Sequence, residues 1–482
     1  MAATTTAAVI GGLYALLLQH VNRYAPDPYM DEIFHVPQAQ RYCAGRFDEW
    51  DPKITTFPGV YVVATALAHA VRWLSSAPAD DPTIVCSTAL LRGVNVLFAM
   101  GNAWLLVRLR TMIVPSDRNS LLHAWTIIAF PVSFFFSFLF YTDMGATFFV
   151  LLMYLLALPT STHVESTSPI RFLPSAIAGS LAVLFRQTNI VWVVFVAGTV
   201  VVRIVEQKNG HAIYGMTKKD AKLQKIPTFV AQQPAWQIAI EFLKAIFSHL
   251  PELLALLWPF IAIVAGFIVF LVHNGGIVVG DKSNHEAGLH GAQILYFIFV
   301  ASTGFGASVL APSQIQRFAD TMRRQAKSAS GFVFLLFTVA SVLLVVAFSS
   351  PVHKFMLADN RHYTFYVWRR FFLKHQLAKY IPISLYLLQG WRCWSELRRT
   401  RSPLWLVVFG LAVILVLVPS PLVEPRYYVI PFALLHLHTP PQPAWQLWTT
   451  LMGFAVVNAL TLYVFLHRPY VWVDGSIARF MW

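Results

Sequence analysis

The sequence predicts an all-α polytopic membrane protein with about 12–14 transmembrane helices and helical lumenal loops. Three observations predict it. Of 482 residues, 57% are hydrophobic and only 12% are charged, about half the charged fraction usual in a soluble domain. Mean hydropathy is +0.59. Apolar runs approaching the length of a span, about 20 residues, recur from one end of the chain to the other.

The runs fall at 6–20, 86–107, 121–140, 144–158, 171–185, 190–205, 250–272, 291–311, 331–350, 379–390, 404–418, 427–438 and 445–466. The first includes Ala7–Leu18. It lacks a basic segment before it and a small-residue cleavage site after it, so it reads as a retained helix. Residues 59–75 are also helical in pattern. His69, Arg72 and Trp73 suit a helix lying in the membrane interface rather than crossing it. Residues 1–482 read as a single domain.

Charge sorts the loops. Lys and Arg number 36 against 22 Asp and Glu, a formal net charge of +14. No basic–aromatic module of a nucleic-acid binder accompanies it. Positive residues instead mark cytosolic loops, because short positively charged loops stay on that side. With the N-terminus cytosolic and 59–75 not spanning, the basic loops 108–120, 206–245, 312–330 and 391–403 fall on one side. The other side receives Asp31, Glu32, Asp51, Asp143, Asp281, Asp359 and Glu424. Segment 21–85 is then the first loop on the lumenal or exterior side and carries the candidate catalytic segment, 206–245 is a basic cytosolic loop, and 351–378 is a loop of the lumenal or exterior side. Cys43 and Cys86 share the lumenal side and could pair, though spacing alone does not decide it. Cys393, beside Arg392, Arg398 and Arg399, is expected to be cytosolic and reduced.

Ionisable groups are costly near a bilayer, so clusters of them mark function. The densest is Tyr29-Met-Asp-Glu-Ile-Phe-His-Val-Pro-Gln-Ala-Gln-Arg-Tyr42. Asp31 and His35 are four apart and share a helix face, which Gln38 and Tyr42 extend. The plainer alternative is that Asp31 caps the helix and Glu32 is solvated. Trp50-Asp-Pro-Lys-Ile-Thr-Thr-Phe-Pro-Gly59 is held rigid by its prolines. With His35 and Gln38, its Trp50, Asp51, Thr55 and Thr56 are candidates for holding an acceptor sugar; a merely structured loop is the rival. Arg361 and His362, flanked by Tyr363, Tyr366 and Trp368, read as an anion site under an aromatic roof. That suits a phosphate esterified to a long lipid. Arg426, with Glu424 as its partner, and Arg186 are further phosphate candidates. Thr142, Asp143 and Asn189 interrupt apolar runs and read as helix caps. Lys282 and His285 add polar groups to the loop after 280. No HExxH, cysteine pair or dense carboxylate run favours a metal. No P-loop or GxGxxG favours a nucleotide as direct substrate.

Met30–Tyr42, Trp50–Thr56, Arg186–Asn189, Leu357–Tyr363 and Glu424–Tyr428, closed by Arg479-Phe-Met-Trp482, together resemble the dolichyl-phosphate-glucose α-1,2-glucosyltransferases. These add the third, terminal glucose to the lipid-linked oligosaccharide for N-glycosylation. The resemblance implies a GT-C fold, the endoplasmic reticulum membrane and a lumenal active site. It implies dolichyl phosphate glucose as donor, a dolichyl-diphosphate-linked oligosaccharide as acceptor, a membrane-lipid setting and no cofactor or metal. It implies inversion with one carboxylate base, matched by Asp31, with Glu32 as the alternative. A non-enzymatic membrane accessory protein that binds a channel or transporter is the runner-up. A transporter fits less well, because the polar residues sit at helix ends rather than at mid-membrane.

Overall fold

The computed structural model describes residues 1–75, 82–159, 168–216, 233–280, 282 and 288–482. Helix α1 (Ala2–Tyr24) leads to α2 (Glu32–Cys43), α3 (Gly59–Ser75) and α4 (Pro82–Val85). Then follow α5 (Thr88–Ile113), α6 (Ser120–Ile128), α7 (Pro131–Phe136), α8 (Asp143–Ala157), α9 (Leu173–Phe185) and α10 (Ile190–Ile213). The second half holds α11 (Ala235–Ser248), α12 (Leu250–Asn274), α13 (Ala292–Thr303), α14 (Pro312–Ala326), α15 (Ala329–Phe348), α16 (Lys354–Ala358) and α17 (Tyr363–Val367). It closes with α18 (Ile383–Leu397), α19 (Pro403–Leu417), α20 (Val429–Leu437) and α21 (Ala444–His467). A small antiparallel hairpin of β1 (Tyr470–Val471) and β2 (Ile477–Ala478) follows.

Helical periodicity explains the packing. On α1, Ile10, Tyr14, Leu18 and Val21 recur every three or four residues and are buried. That stripe faces α5, and α8 packs between α5 and α9.

Among the described residues, six helices are long and apolar enough to cross a membrane: Ala2–Tyr24, Thr83–Ile113, Gln187–Ile213, Leu250–Asn274, Ala329–Phe348 and Ala444–His467. This is fewer than the 12–14 expected. Polar breaks and prolines cut the other runs into shorter pieces. Pro131 divides 121–140 into α6 and α7, since proline cannot donate the helical hydrogen bond. Thr142–Asp143 and Arg186–Asn189 bound the short apolar helices α8 and α9. Segment 206–245, expected as a loop, is helical at both ends, in α10 and α11; Lys218, Lys219, Lys222 and Lys225 lie outside the described residues. Segment 312–330 is mostly helix α14, which sets Ile315, Phe318 and Met322 on one face and buries none of its residues. Of the run 379–390, residues 383–390 belong to α18, which continues past Arg392 to Leu397.

Polar contacts gather toward the two ends of α5, a helix of 26 residues whose Arg110 holds Asp117 near one end and whose Arg92 holds Glu32, next to Asp31, near the other. At one, Arg110 pairs with Asp117 and donates to the carbonyls of Leu437 at 2.9 Å and Thr439 at 2.6 Å. Arg401 donates to His438 there. At the other, Asp31, Asp143, Arg186, Glu424 and Arg426 meet. The C-terminal segment also arrives there: Tyr29 Oη donates to the Arg479 carbonyl at 2.8 Å. Cys43 and Cys86 are disulfide-bonded, tying the end of α2 to the approach to α5. Cys393 is free and buried.

Candidate active site

The first functional element is a tight turn. Met30 has φ 57°, a left-handed conformation that a non-glycine residue adopts only under constraint. The constraint is visible. Glu32 reaches back to accept the Tyr29 N–H at 3.0 Å. It is also gripped by Arg92, at 2.9 Å from Nε and 2.6 Å from Nη2, and by the Phe140 N–H at 2.6 Å. Both partners of this ion pair are fully enclosed. Glu32 is thus a buried strut and does not line the cavity described below, which corrects its reading as a solvated group.

The turn presents Asp31 differently. Its side chain is 42% exposed and makes no capping bond to α2, so the capping alternative fails. Its backbone N–H donates to Tyr141 Oη at 3.1 Å. Its carboxylate accepts from Arg426 Nη1 at 3.2 Å.

Arg426 stands on the helical turn Pro425–Tyr428, which Pro425 starts. Its Nη2 donates to Glu424 at 2.5 Å, and its Nη1 lies 3.7 Å from Asp143. The guanidinium carbon sits 5.0 Å from the Tyr141 ring centroid and 5.3 Å from that of Phe136, within cation–π range. Burial works against the Arg426 cation, but Glu424, Asp31 and Asp143 outweigh it and push its pKa well up. Arg186 shares Asp143 and lies over Tyr427. The helix-cap reading of Thr142 and Asp143 is corrected: Thr142 makes no side-chain capping bond to α8, and Asp143 is the first helical residue, its carboxylate turned to the two arginines. Asn189 does close a helix end, donating to the Ala182 carbonyl at 2.8 Å.

Arg361 and His362 approach from the other wall. Asp359 holds Arg361 by a two-pronged contact, 2.8 Å from Nε and 2.7 Å from Nη2, and lies 3.4 Å from His362 Nε2. Burial raises the Asp359 pKa, but hydrogen bonds from His362 and Arg361 prevail and hold it well below the usual carboxylate range. The roof over Arg361 is Trp472, 4.6 Å from the guanidinium, with Tyr29 at 5.8 Å. The expected roof of Tyr363, Tyr366 and Trp368 is corrected: Tyr363 meets Phe480 edge-on and Trp482 at a tilt, Tyr366 lies against Phe480 and under Arg370, and Trp368 packs on Tyr296 and Phe372. The C-terminal segment braces the pair. Met481 N–H donates to the Arg361 carbonyl at 2.8 Å, and His362 Nδ1 is 2.7 Å from the Trp482 carbonyl.

One cavity of about 430 Å³ joins these groups. Asp31, Asp359, Arg361, His362, Glu424 and Arg426 line it, with Phe136, Tyr141, Trp472 and Trp482 as aromatic walls. Arg186 lies behind it, on a smaller cavity of about 90 Å³ that shares Arg426. The acceptor candidates are not brought to the larger cavity. Gln38 is buried, donating to the Glu49 carbonyl and accepting the Asp51 N–H, both at 2.8 Å. Asp51 accepts the Lys53 N–H at 2.9 Å. The Trp50 indole donates to the Ile54 carbonyl at 3.3 Å. The Thr55 carbonyl accepts from Gln187 at 2.9 Å, and Thr56 follows in the same turn. His35 contacts the Tyr61 hydroxyl, and burial lowers its pKa. These residues build the loop behind Asp31. Lys282 bonds the Asn274 carbonyl; Asp281 and His285 lie outside the described residues. No cluster with metal-ligand character occurs among the described residues.

The DIE2/ALG10 family pattern matches residues 25–437. A Rattus norvegicus protein named Dol-P-Glc:Glc(2)Man(9)GlcNAc(2)-PP-Dol alpha-1,2-glucosyltransferase is 38% identical over 479 residues, covering 97% of this chain and 96% of its own. Relatives of the same name from Arabidopsis thaliana and Drosophila melanogaster are 34% and 33% identical. They cover 96% and 98% of this chain, and 96% and 97% of their own.

Proposed function

Because the chain belongs to the DIE2/ALG10 family, we propose that it transfers glucose from dolichyl phosphate glucose to the diglucosylated dolichyl-diphosphate-linked oligosaccharide, forming the terminal α-1,2 linkage. The observation that carries the site is the cavity that the exposed Asp31 carboxylate shares with Arg361 and His362. We read the fold as GT-C, set in the endoplasmic reticulum membrane with this cavity toward the lumen. The separation of the Arg110–Arg401 region from the Asp31 region supports that orientation.

The donor is a β-linked glucosyl phosphate and the product is α-linked, so a single inverting displacement suffices. The acceptor 2-hydroxyl attacks the anomeric carbon, and its proton passes to Asp31. The bond from that carbon to the phosphate oxygen breaks, and the departing dolichyl phosphate gains negative charge. Arg361 and His362, which line the same cavity as Asp31, are the groups we assign to meet that charge, with Arg426 bridging toward Asp31. Fixed cations in a partly dehydrated site stabilise such charge more than water does. Asp359 holds the Arg361 fork before substrate arrives, so little reorganisation is needed. Around Arg426 three carboxylates share two guanidiniums, Arg426 and Arg186, whereas one carboxylate, Asp359, serves the two basic side chains Arg361 and His362. That favours Arg361 and His362 over Arg426 as the main phosphate partners. It also gives Arg186 a supporting place, holding Asp143.

The accessory-protein alternative requires no open carboxylate beside cations. Purified protein given dolichyl phosphate glucose and a diglucosylated lipid-linked oligosaccharide should yield the triglucosylated product. Absence of that product with a protein that binds both lipids would overturn the proposal.

A further inference from the structure

Asp31 is not the only carboxylate that faces Arg426 Nη1. That nitrogen lies 3.2 Å from Asp31 Oδ2 and 3.7 Å from Asp143 Oδ2. The nearer contact is a hydrogen bond and the farther one is too long to be. Asp143 Oδ2 is thus enclosed without a hydrogen-bond partner among the described residues, a costly state for a carboxylate oxygen. The two acids differ in setting as well. The Asp31 side chain is 42% exposed and that of Asp143 only 4%. One guanidinium nitrogen therefore stands between an open carboxylate that holds it and an enclosed one that lacks it.

Arg186 is what satisfies Asp143 from the other side. Its Nη1 bonds Asp143 Oδ1. Asp143 opens α8 and Arg186 directly follows α9, and these two helices pack along each other. The pair is therefore fixed to the helical bundle. Arg426 can pivot. Its Nη2 is pinned to Glu424 at 2.5 Å, and it shares with Asp143 and Arg186 the smaller cavity of about 90 Å³, which leaves the guanidinium room. A small swing about the Glu424 contact exchanges Asp31 for Asp143. Charge alternates in sign along the row Asp31, Arg426, Asp143, Arg186.

Resting on the reading of Asp31 as the base, we propose that Asp143 and Arg186 are positioning residues that set how firmly Arg426 holds the Asp31 carboxylate, and so how readily it takes the acceptor's proton. Neither lines the active-site cavity, so neither acts by touching substrate there. With Arg186 in place, Asp143 is held from behind and Arg426 stays with Asp31. The other charged and titratable groups around Asp31 are common to every variant below. They are Glu32, neutralised by Arg92, and His35 on α2, Tyr141 at the Asp31 N–H, Glu424 on Arg426, and Asp359, Arg361 and His362 on the shared cavity wall.

The test is the acid limb of the pH profile of kcat/KM for the acceptor, where the base becomes protonated. Arg186→Gln leaves Asp143 to draw Arg426 away. Asp31 then loses its counter-charge, and the limb should move to higher pH. Asp143→Asn removes the competitor, and the limb should move to lower pH. Each shift should be roughly 0.5–1 pH unit, small for an arginine beside a carboxylate because Asp31 is partly solvated. Arg186→Lys keeps a cation on Asp143, so its limb should stay near that of the unaltered protein even where Arg186→Gln folds poorly. Because Arg186 acts through Asp143, adding Arg186→Gln to Asp143→Asn should move the limb no further. Limbs that stay in place in folded Arg186→Gln and Asp143→Asn, or that move in one common direction, would overturn the inference. So would a further shift in the double variant, or a shift in Arg186→Lys as large as that in Arg186→Gln. An intact acid limb in Asp31→Asn would instead sink the assignment of the base, whatever residues 143 and 186 do.

Discussion

The Asp31 carboxylate accepts a hydrogen bond from Arg426 at 3.2 Å across 395 positions of chain. The contact fixes one oxygen of the proposed base toward a cation and holds the group at the cavity edge. It also links the base to Glu424 and Asp143 through the same guanidinium.

Asp31→Asn should keep the shape and lose the proton acceptor. Turnover should fall about 10²- to 10⁴-fold, the usual worth of a general base, with thermal stability near that of the unaltered protein. Initial rates at saturating donor measure this. Near-normal turnover would remove Asp31 from the role.

Glu32→Gln should behave in the opposite way. It leaves the enclosed Arg92 cation without its counter-charge. Breaking a buried pair from one side costs about 3–5 kcal/mol. Yield and melting temperature should drop, and the protein that does fold should retain much of its turnover. A stable but inactive Glu32→Gln would place the chemistry on that residue.

Arg361→Ala should raise donor KM more than acceptor KM. A charge-assisted contact is worth about 1.5–3 kcal/mol. Arg361→Lys should recover part of the loss, since an ammonium cannot copy the planar fork that Asp359 orients. Equal effects on both substrates would mean that the arginine only braces the loop.

The disulfide is open to direct chemistry. Alkylation of the native, unreduced protein should modify no cysteine, and denaturation should expose Cys393 alone. Cys86→Ser should lower stability by about 2–4 kcal/mol. Three alkylated cysteines without reductant would refute the pairing.

His35 gives a pH dependence with a definite sign. Burial lowers its folded pKa below 6.5, so the unfolded chain takes up a proton first as pH falls. Its contribution is complete above about pH 6.5 and is lost on acidification, by at most about 1.4 kcal/mol per pH unit. His35→Gln should flatten the loss of melting temperature between pH 7.5 and 5.5. An unchanged slope would show that other groups carry it.

Local pattern made the helices legible, because a buried stripe such as Ile10, Tyr14, Leu18 and Val21 repeats at helical spacing. The number of full spans was less legible, since a run of apolar residues does not announce where Pro131 or Arg186 will cut it. At the site, Asp31, Arg361, His362 and Arg426 stood out as charges in an apolar chain, and one cavity gathers all four. Gln38, Trp50 and Asp51 stood out for the same reason and instead lock a loop, because polarity alone does not tell a ligand contact from a satisfied backbone. Arg92 and Trp472 were passed over, and Asp359 was sorted to the lumenal side but given no part in holding Arg361. Arg92 carried a usable signal, a lone cation near the start of an apolar helix. Trp472 acts only through a long-range contact that no local pattern encodes.

The hydrogen bond between Tyr29 and Arg479 spans 450 residues. A ribosome adding about 5–20 residues per second takes roughly 20–90 s to cover that distance. During this interval the turn carrying Asp31 is already made, but the wall that braces Arg361 does not yet exist. The cavity is therefore completed only after nearly all of the chain has been inserted, and a half-inserted chain has no site with which to meet a glycolipid.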